Sequence, residues 1–167
     1  MLSTDQVVHD LYASSEVRDA VVDRFGPDVA PGGVVDRRAV ANSMFASDGD
    51  REWVEDLLWP RVGQRMIDWR EEVDAGDPRP AVAVVEVPLL FESGMEAAFD
   101  ATIAIVADEA VRSDRAGGRG HAAVAERTAR QLSQEEKAAR AQYVVVNDGT
   151  PAELEAALSA VLDMLRK

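Results

Sequence analysis

A chain of 167 residues with 47% hydrophobic and 29% charged residues has a globular composition, fits one domain, and contains no apolar run near the roughly 20 residues of a membrane helix. Aspartate and glutamate total 31 against 18 lysines and arginines, a formal net charge of −13, which argues against nucleic acid and anionic membrane as partners because both need a basic footprint. Cysteine is absent, which removes disulfide and thiolate chemistry and suits the cytoplasm, and two widely spaced histidines give little support for a zinc site.

Asp5 precedes Val7, Val8, Leu11 and Tyr12, whose spacing predicts a helix with Asp5 as N-cap or first-turn residue. Val17, Val21, Val22 and Phe25 repeat at helical spacing over Ser15 to Phe25, and Gly26-Pro27 closes that helix. Pro31-Gly32-Gly33 reads as a turn, after which Asp36 opens a helix carrying Val40, Met44 and Phe45. Asp50 to Trp69 is helical, with Trp53, Val54, Leu57 and Leu58 on one face, Trp59 as a core residue and Pro60 as a bend or break. Glu71 to Arg79 reads as a polar loop.

Ala81 to Val87 is a valine-rich run bounded upstream by Pro78 and Pro80, the pattern of a strand buried on both faces of a parallel sheet. Glu86 interrupts it near its carboxyl end and Pro88 stops the ladder. Ligands collect beyond the carboxyl ends of strands in open α/β sheets, so Glu86 and the Pro88 to Glu92 segment stand where a site would form. Thr102 to Ala107 repeats the buried-strand pattern, and Asp108 caps a helix that begins the one basic concentration of the chain, Arg112, Arg115, Arg119, Arg127 and Arg130. Ser133 and Glu136 have capping-box spacing, Tyr143 to Val146 is a last buried strand, and Asn147-Asp148-Gly149 is turn chemistry. Thr150, Pro151 and Glu153 start a final helix whose buried face is Leu154, Leu158, Val161, Leu162 and Leu165.

Three stretches, Val-Pro-Leu-Leu-Phe-Glu-Ser-Gly at 87–94, Arg-Gln-Leu-Ser-Gln-Glu-Glu-Lys at 130–137 and Val-Asn-Asp-Gly-Thr at 146–150, resemble the dephospho-CoA kinases, and the resemblance runs from Asp5 to the terminal helix. It implies an α/β fold with the parallel sheet of P-loop kinases, one domain over 1–167, a helical substrate-covering insertion at about 12–75 and an arginine-bearing lid at about 109–130. The implied reaction uses ATP and Mg²⁺ to phosphorylate the ribose 3′-hydroxyl of 3′-dephospho-CoA, giving coenzyme A. Asp5 matches the second aspartate of the family's Ile-Asp-Ala-Asp, the general base, while Ser3 replaces the first; a carboxylate suits that proton transfer. Arg115 or Arg119 would close over the phosphates, and Asn147 and Gly149 would lie near the nucleotide base. Pro88, Leu89, Leu90, Phe91 and Glu92 would form part of the coenzyme A site, and Glu86 could hold a magnesium-bound water. Trp59 stands where the family has a histidine, and His121-Ala122-Ala123 where it has an Asp-Gly turn.

One departure matters more. The family opens with a strand, a Gly-x-x-x-x-Gly-Lys-Ser/Thr loop and a helix, and that motif occurs nowhere in these 167 residues; Gly117-Gly118-Arg119-Gly120 lacks the Lys-Ser/Thr that grips phosphate and magnesium. Either the start lies at an internal methionine of a longer chain or the protein lacks its nucleotide grip. The first is preferred, because loss of a central strand would bare the apolar faces of its neighbours. The residues as they stand are expected to be inactive for want of the phosphate cradle. The alternatives are a non-catalytic remnant that binds coenzyme A and another P-loop nucleotide kinase.

Overall fold

A computed structural model describes residues 1–116 and 131–166. Its contacts gather into two compact units, Met1–Pro88 and Leu89–Lys167.

The first unit is built on helices. Strand β1 (Leu2–Ser3) leads directly into α1 (Thr4–Ala13), and α2 (Ser15–Phe25) follows after Ser14, whose hydroxyl accepts from the Val17 N–H. Gly26, at φ 89°, ends α2 in a conformation that an L side chain adopts only under strain. Asp36 caps α3 (Arg37–Ala46) by accepting from the Arg38 and Ala39 N–H groups. The long α4 (Asp48–Asp74) completes the set. The chain then returns to β2 (Val85–Glu86), which pairs in parallel with β1, Leu2 opposite Val85 and Ser3 opposite Glu86. All four helices therefore lie in the crossover between two parallel strands, as a parallel connection requires.

The core of this unit lies among the helices and not on the sheet. Val17, Val21, Val40 and Val54 are the most fully buried, joined by Tyr12, Val29, Val35 and Leu58. Burial pushes the Tyr12 hydroxyl above the ordinary tyrosine range, against the opposing pull of the Arg37 charge. Val54, Leu58 and Val62, spaced by four, carry the buried face of α4 straight past Pro60, so the helix continues where a break was expected. The Arg61 guanidinium donates to the Leu57 carbonyl in that turn. The helix also absorbs residues 71–74 of the expected loop. Trp59, expected in the core, sits beside the buried row and is 51% exposed. Trp53 takes the packed role, edge-on to Phe25 with ring centres 5.7 Å apart and with the Arg24 guanidinium over its face.

The second unit contains β3 (Ile103–Val106), α5 (Glu109–Ala116), α6 (Gln134–Arg140), β4 (Tyr143–Val146) and α7 (Pro151–Leu165). β3 and β4 are parallel and in register from Ile103 opposite Tyr143 to Val106 opposite Val146. The capping boxes expected at Ser133 and Thr150 are both formed. Leu154, Leu158, Val161, Leu162 and Leu165 form the covered side of α7, with Val161 buried.

The strands differ from the sequence reading in extent and cover. Of Ala81 to Val87 only Val85–Glu86 pairs, and Val84 is exposed. Ile105, Val144 and Val146 are also exposed, while Ala104 and Val145 are buried. A valine-rich run signals a strand covered on both faces, but each pair here has two strands and α7 covers one side of β4. Stability should follow this asymmetry. Val21→Ala is expected to cost about 1.5–3 kcal/mol in urea unfolding and Val84→Ala less than about 0.5 kcal/mol; equal losses would contradict the placement of the core.

Candidate functional site

The described sequence-predicted site residues fall into three groups: Asp5 and Glu86 in the first unit, Arg115, Asn147 and Gly149 in the second, and the Pro88 to Glu92 stretch, which begins on the last residue of the first unit and continues into the second. In the first unit, β1 ends at Ser3, opposite Glu86 at the end of β2, and α1 starts at Thr4. Asp5, in the first turn of α1, and Glu86 therefore share the carboxyl end of the β1–β2 pair, and both are exposed. Buried Thr4 fixes the geometry between them, its hydroxyl donating to the Glu86 carbonyl at 3.1 Å. Ser3 stands at the α1 N-cap, with no capping bond from its side chain, so Asp5 is a first-turn residue rather than the cap.

Mg²⁺ takes hard oxygen ligands, keeps several waters, and is held by one or two carboxylates together with substrate phosphates. An exposed glutamate at a strand end, with an aspartate at the same end, fits that donor chemistry. Among the described residues no group of three or more His, Asp or Glu side chains could cage a metal. A separate cleft of about 440 Å³ in this unit is walled by Leu2, Val7 and Leu11, with Asp10 and Arg65 supplying charge, and contains none of the predicted site residues.

In the second unit, Arg115, Asn147 and Gly149 are brought together. The Arg115 guanidinium donates to the Asn147 carbonyl at 2.7 Å and to the Gly149 carbonyl at 3.1 Å. The Asp108 N–H donates to the Asp148 carboxylate at 2.6 Å, so both ends of α5 grip the turn that follows β4. A Cβ at Gly149 would press on the far end of the Glu153 side chain, whose carboxylate is folded back onto the Thr150 N–H and hydroxyl. Those two Thr150 bonds hold the Glu153 carboxyl below its usual range. Arg119 lies outside the described residues.

The Pro88 to Glu92 stretch divides by exposure. Pro88 and Leu89 are exposed, Leu90 is half-buried and Phe91 is buried. Glu92 is 15% exposed, and its Oε1 accepts from Lys137 Nζ at 2.9 Å and from the Leu132 N–H at 3.0 Å. Its Oε2 is buried and has no hydrogen-bond partner among the described residues. Burial alone would raise the Glu92 carboxyl, but the Lys137 and backbone hydrogen bonds outweigh it and hold the group below its usual range. Gln134, which the sequence reading did not single out, clamps Ala107: its Oε1 accepts from the Ala107 N–H at 2.8 Å and its Nε2 donates to the Ala107 carbonyl at 2.9 Å. The only sequence signal for Lys137 and Gln134 was their place in the 130–137 stretch.

Residues 1–153 match the family described as dephospho-CoA kinase. The dephospho-CoA kinase of Protochlamydia amoebophila is 34% identical, with 99% of this chain and 83% of that protein aligned. A crystal structure from Thermus thermophilus superposes with a TM-score of 0.79 at 29% identity, covering 98% of this chain and 83% of that one. The dephospho-CoA kinase from Campylobacter jejuni superposes with a TM-score of 0.67 at 19% identity over 99% of this chain and 84% of its own, and supports the α/β fold with parallel strands.

The depressed Glu92 carboxyl has a signed consequence. Its ionised form is favoured in the folded state, so its stabilisation is complete above the ordinary glutamate range and is lost as pH falls through the lower folded value. Glu92→Gln should cost about 1–3 kcal/mol at neutral pH. That difference should disappear in acid unfolding curves, and a pH-independent difference would count against the ion pair.

Proposed function

The chain belongs to the dephospho-CoA kinase family, and on that premise we propose that its chemistry is transfer of the γ-phosphoryl group of ATP to the ribose 3′-hydroxyl of 3′-dephospho-CoA, with the 167 residues as they stand expected to be inactive for want of the phosphate loop. The observation that carries the reading is the shared position of Asp5 and Glu86 at the carboxyl end of β1 and β2. Phosphoryl transfer asks little covalent chemistry of a protein; it needs positioning, charge stabilisation and a group that orients the attacking hydroxyl. Asp5 accepts the 3′-hydroxyl proton as the oxygen attacks phosphorus. Glu86 is the carboxylate suited to hold Mg²⁺ through water, where the metal would supply positive charge to the phosphates.

Pro88, Leu89, Leu90, Phe91 and Glu92 form part of the coenzyme A side, with Leu89 exposed to meet an apolar portion of the ligand and Phe91 packed as support. Asn147 and Gly149 neighbour the nucleotide base. Arg115 holds their turn through its carbonyls, and Arg115 or Arg119 supplies positive charge to the transferring phosphate. The whole is read as one domain over 1–167 with the insertion at about 12–75 and the lid at about 109–130. Small anionic substrates, a formal net charge of −13 and the lack, among the described residues, of a helix able to cross a membrane suit a cytoplasmic enzyme.

These 167 residues lack a Gly-x-x-x-x-Gly-Lys-Ser/Thr loop to hold the β- and γ-phosphates. Calorimetric titration of the chain is expected to register 3′-dephospho-CoA binding, and a coupled ADP assay is expected to register no turnover. Turnover that Asp5→Asn abolishes would overturn the expected inactivity while supporting the base. Failure to bind dephospho-CoA would count against the substrate.

A further inference from the structure

Glu92 is poorly placed to touch a ligand. Its Oε1 already serves Lys137 and the Leu132 N–H, and its Oε2 is buried. The turn it belongs to is closed locally: the Ser93 N–H donates to the Leu89 carbonyl at 3.0 Å, the Met95 N–H to the Leu90 carbonyl at 3.1 Å, and Gly94 sits at φ 69°. With Phe91 buried, Leu89 is the apolar side chain this turn presents outward, at 43% exposure. Two bonds from one carboxylate to the start of α6 fix where that leucine stands, and the Gln134 clamp on Ala107 fixes α6 in turn.

We infer that Glu92 is a positioning residue for dephospho-CoA, acting through the Leu89–Gly94 turn with Lys137 as its partner and not by contact with the ligand. This rests on the reading that the turn lines the coenzyme A site. The chemistry agrees with the geometry. Dephospho-CoA carries a pyrophosphate, and a free carboxylate in its site would repel it, whereas one neutralised by Lys137 and turned inward does not.

The test uses the full chain as wild type, E92Q, K137Q, E92Q/K137Q and K137R. Two measurements are made: amide hydrogen exchange without ligand, and calorimetric titration with 3′-dephospho-CoA. E92Q and K137Q should each speed exchange at Ser93 and Met95 by about 10-fold and weaken binding by about 10-fold. The amides of Tyr143 and Asn147, which donate to the Thr102 and Val106 carbonyls, should keep wild-type protection and so report that the strand pair is intact. The double variant should bind no worse than the weaker single one, because one interaction is lost only once, and K137R should behave as wild type.

Unchanged exchange at Ser93 and Met95 overturns the inference. So does an E92Q loss that adds in full to that of K137Q, the mark of direct contact. If E92Q also strips protection from Tyr143 and Asn147, K137Q, which leaves the carboxylate and its Leu132 bond in place, decides alone. Faster exchange in the variants with no binding by the wild type retains the Glu92–Lys137 tie and overturns the substrate reading.

Discussion

A parallel pair of four-residue strands cannot hold itself together in water, and the second unit is organised around that constraint. Its backbone bonds are too few, so side chains extend the ladder at both ends. At the entry, the Thr102 N–H donates to the Gln142 amide oxygen while the Thr102 hydroxyl accepts from the Gln142 N–H. At the exit, Gln134 takes both backbone groups of Ala107, Asp148 takes the Asp108 N–H, and Arg115 takes two carbonyls of the following turn. The candidate nucleotide-side residues are therefore part of what keeps the strand pair closed. The candidate site and the strand pair share the same bonds there.

The first unit solves its problem differently. Its two-residue strand pair contributes little, and a helical core of valines supplies the rigidity. Asp5 and Glu86 ride on the edge of that core, each exposed, their spacing fixed by the register of Ser3 with Glu86 and by the buried Thr4 hydroxyl. A rigid base with exposed carboxylates suits groups that must meet a substrate in one orientation.

Local features were legible in the sequence. The bounds of α2, the Asp36 cap and the two capping boxes are decided within four residues by side-chain oxygens and nearby N–H groups, and they stand where spacing put them. What depended on distant partners was not legible. The valine-rich runs promised covered strands, yet cover depends on how many neighbours a strand acquires. Pro60 promised a break, yet the buried row on either side carries α4 through. Trp59 looked like core, yet it stands one position past Leu58 and faces away from the packed row. For the site, the three stretches that carry the family resemblance were readable as words, but their reason was not. Glu92 and Lys137 lie 45 positions apart, and only folding makes the first two stretches a single connection.

The turn after β4 carries an implication for how such chains can diverge. The Glu153 carboxylate closes the first turn of α7 from the space that a Cβ at 149 would enter. A larger residue at 149 would press on the tip of a flexible side chain, so the chain can accept it by letting the Glu153 fold-back go, at the expense of the capping box that starts α7. The two positions are coupled through that cap: bulk at 149 trades against closure of the helix that follows.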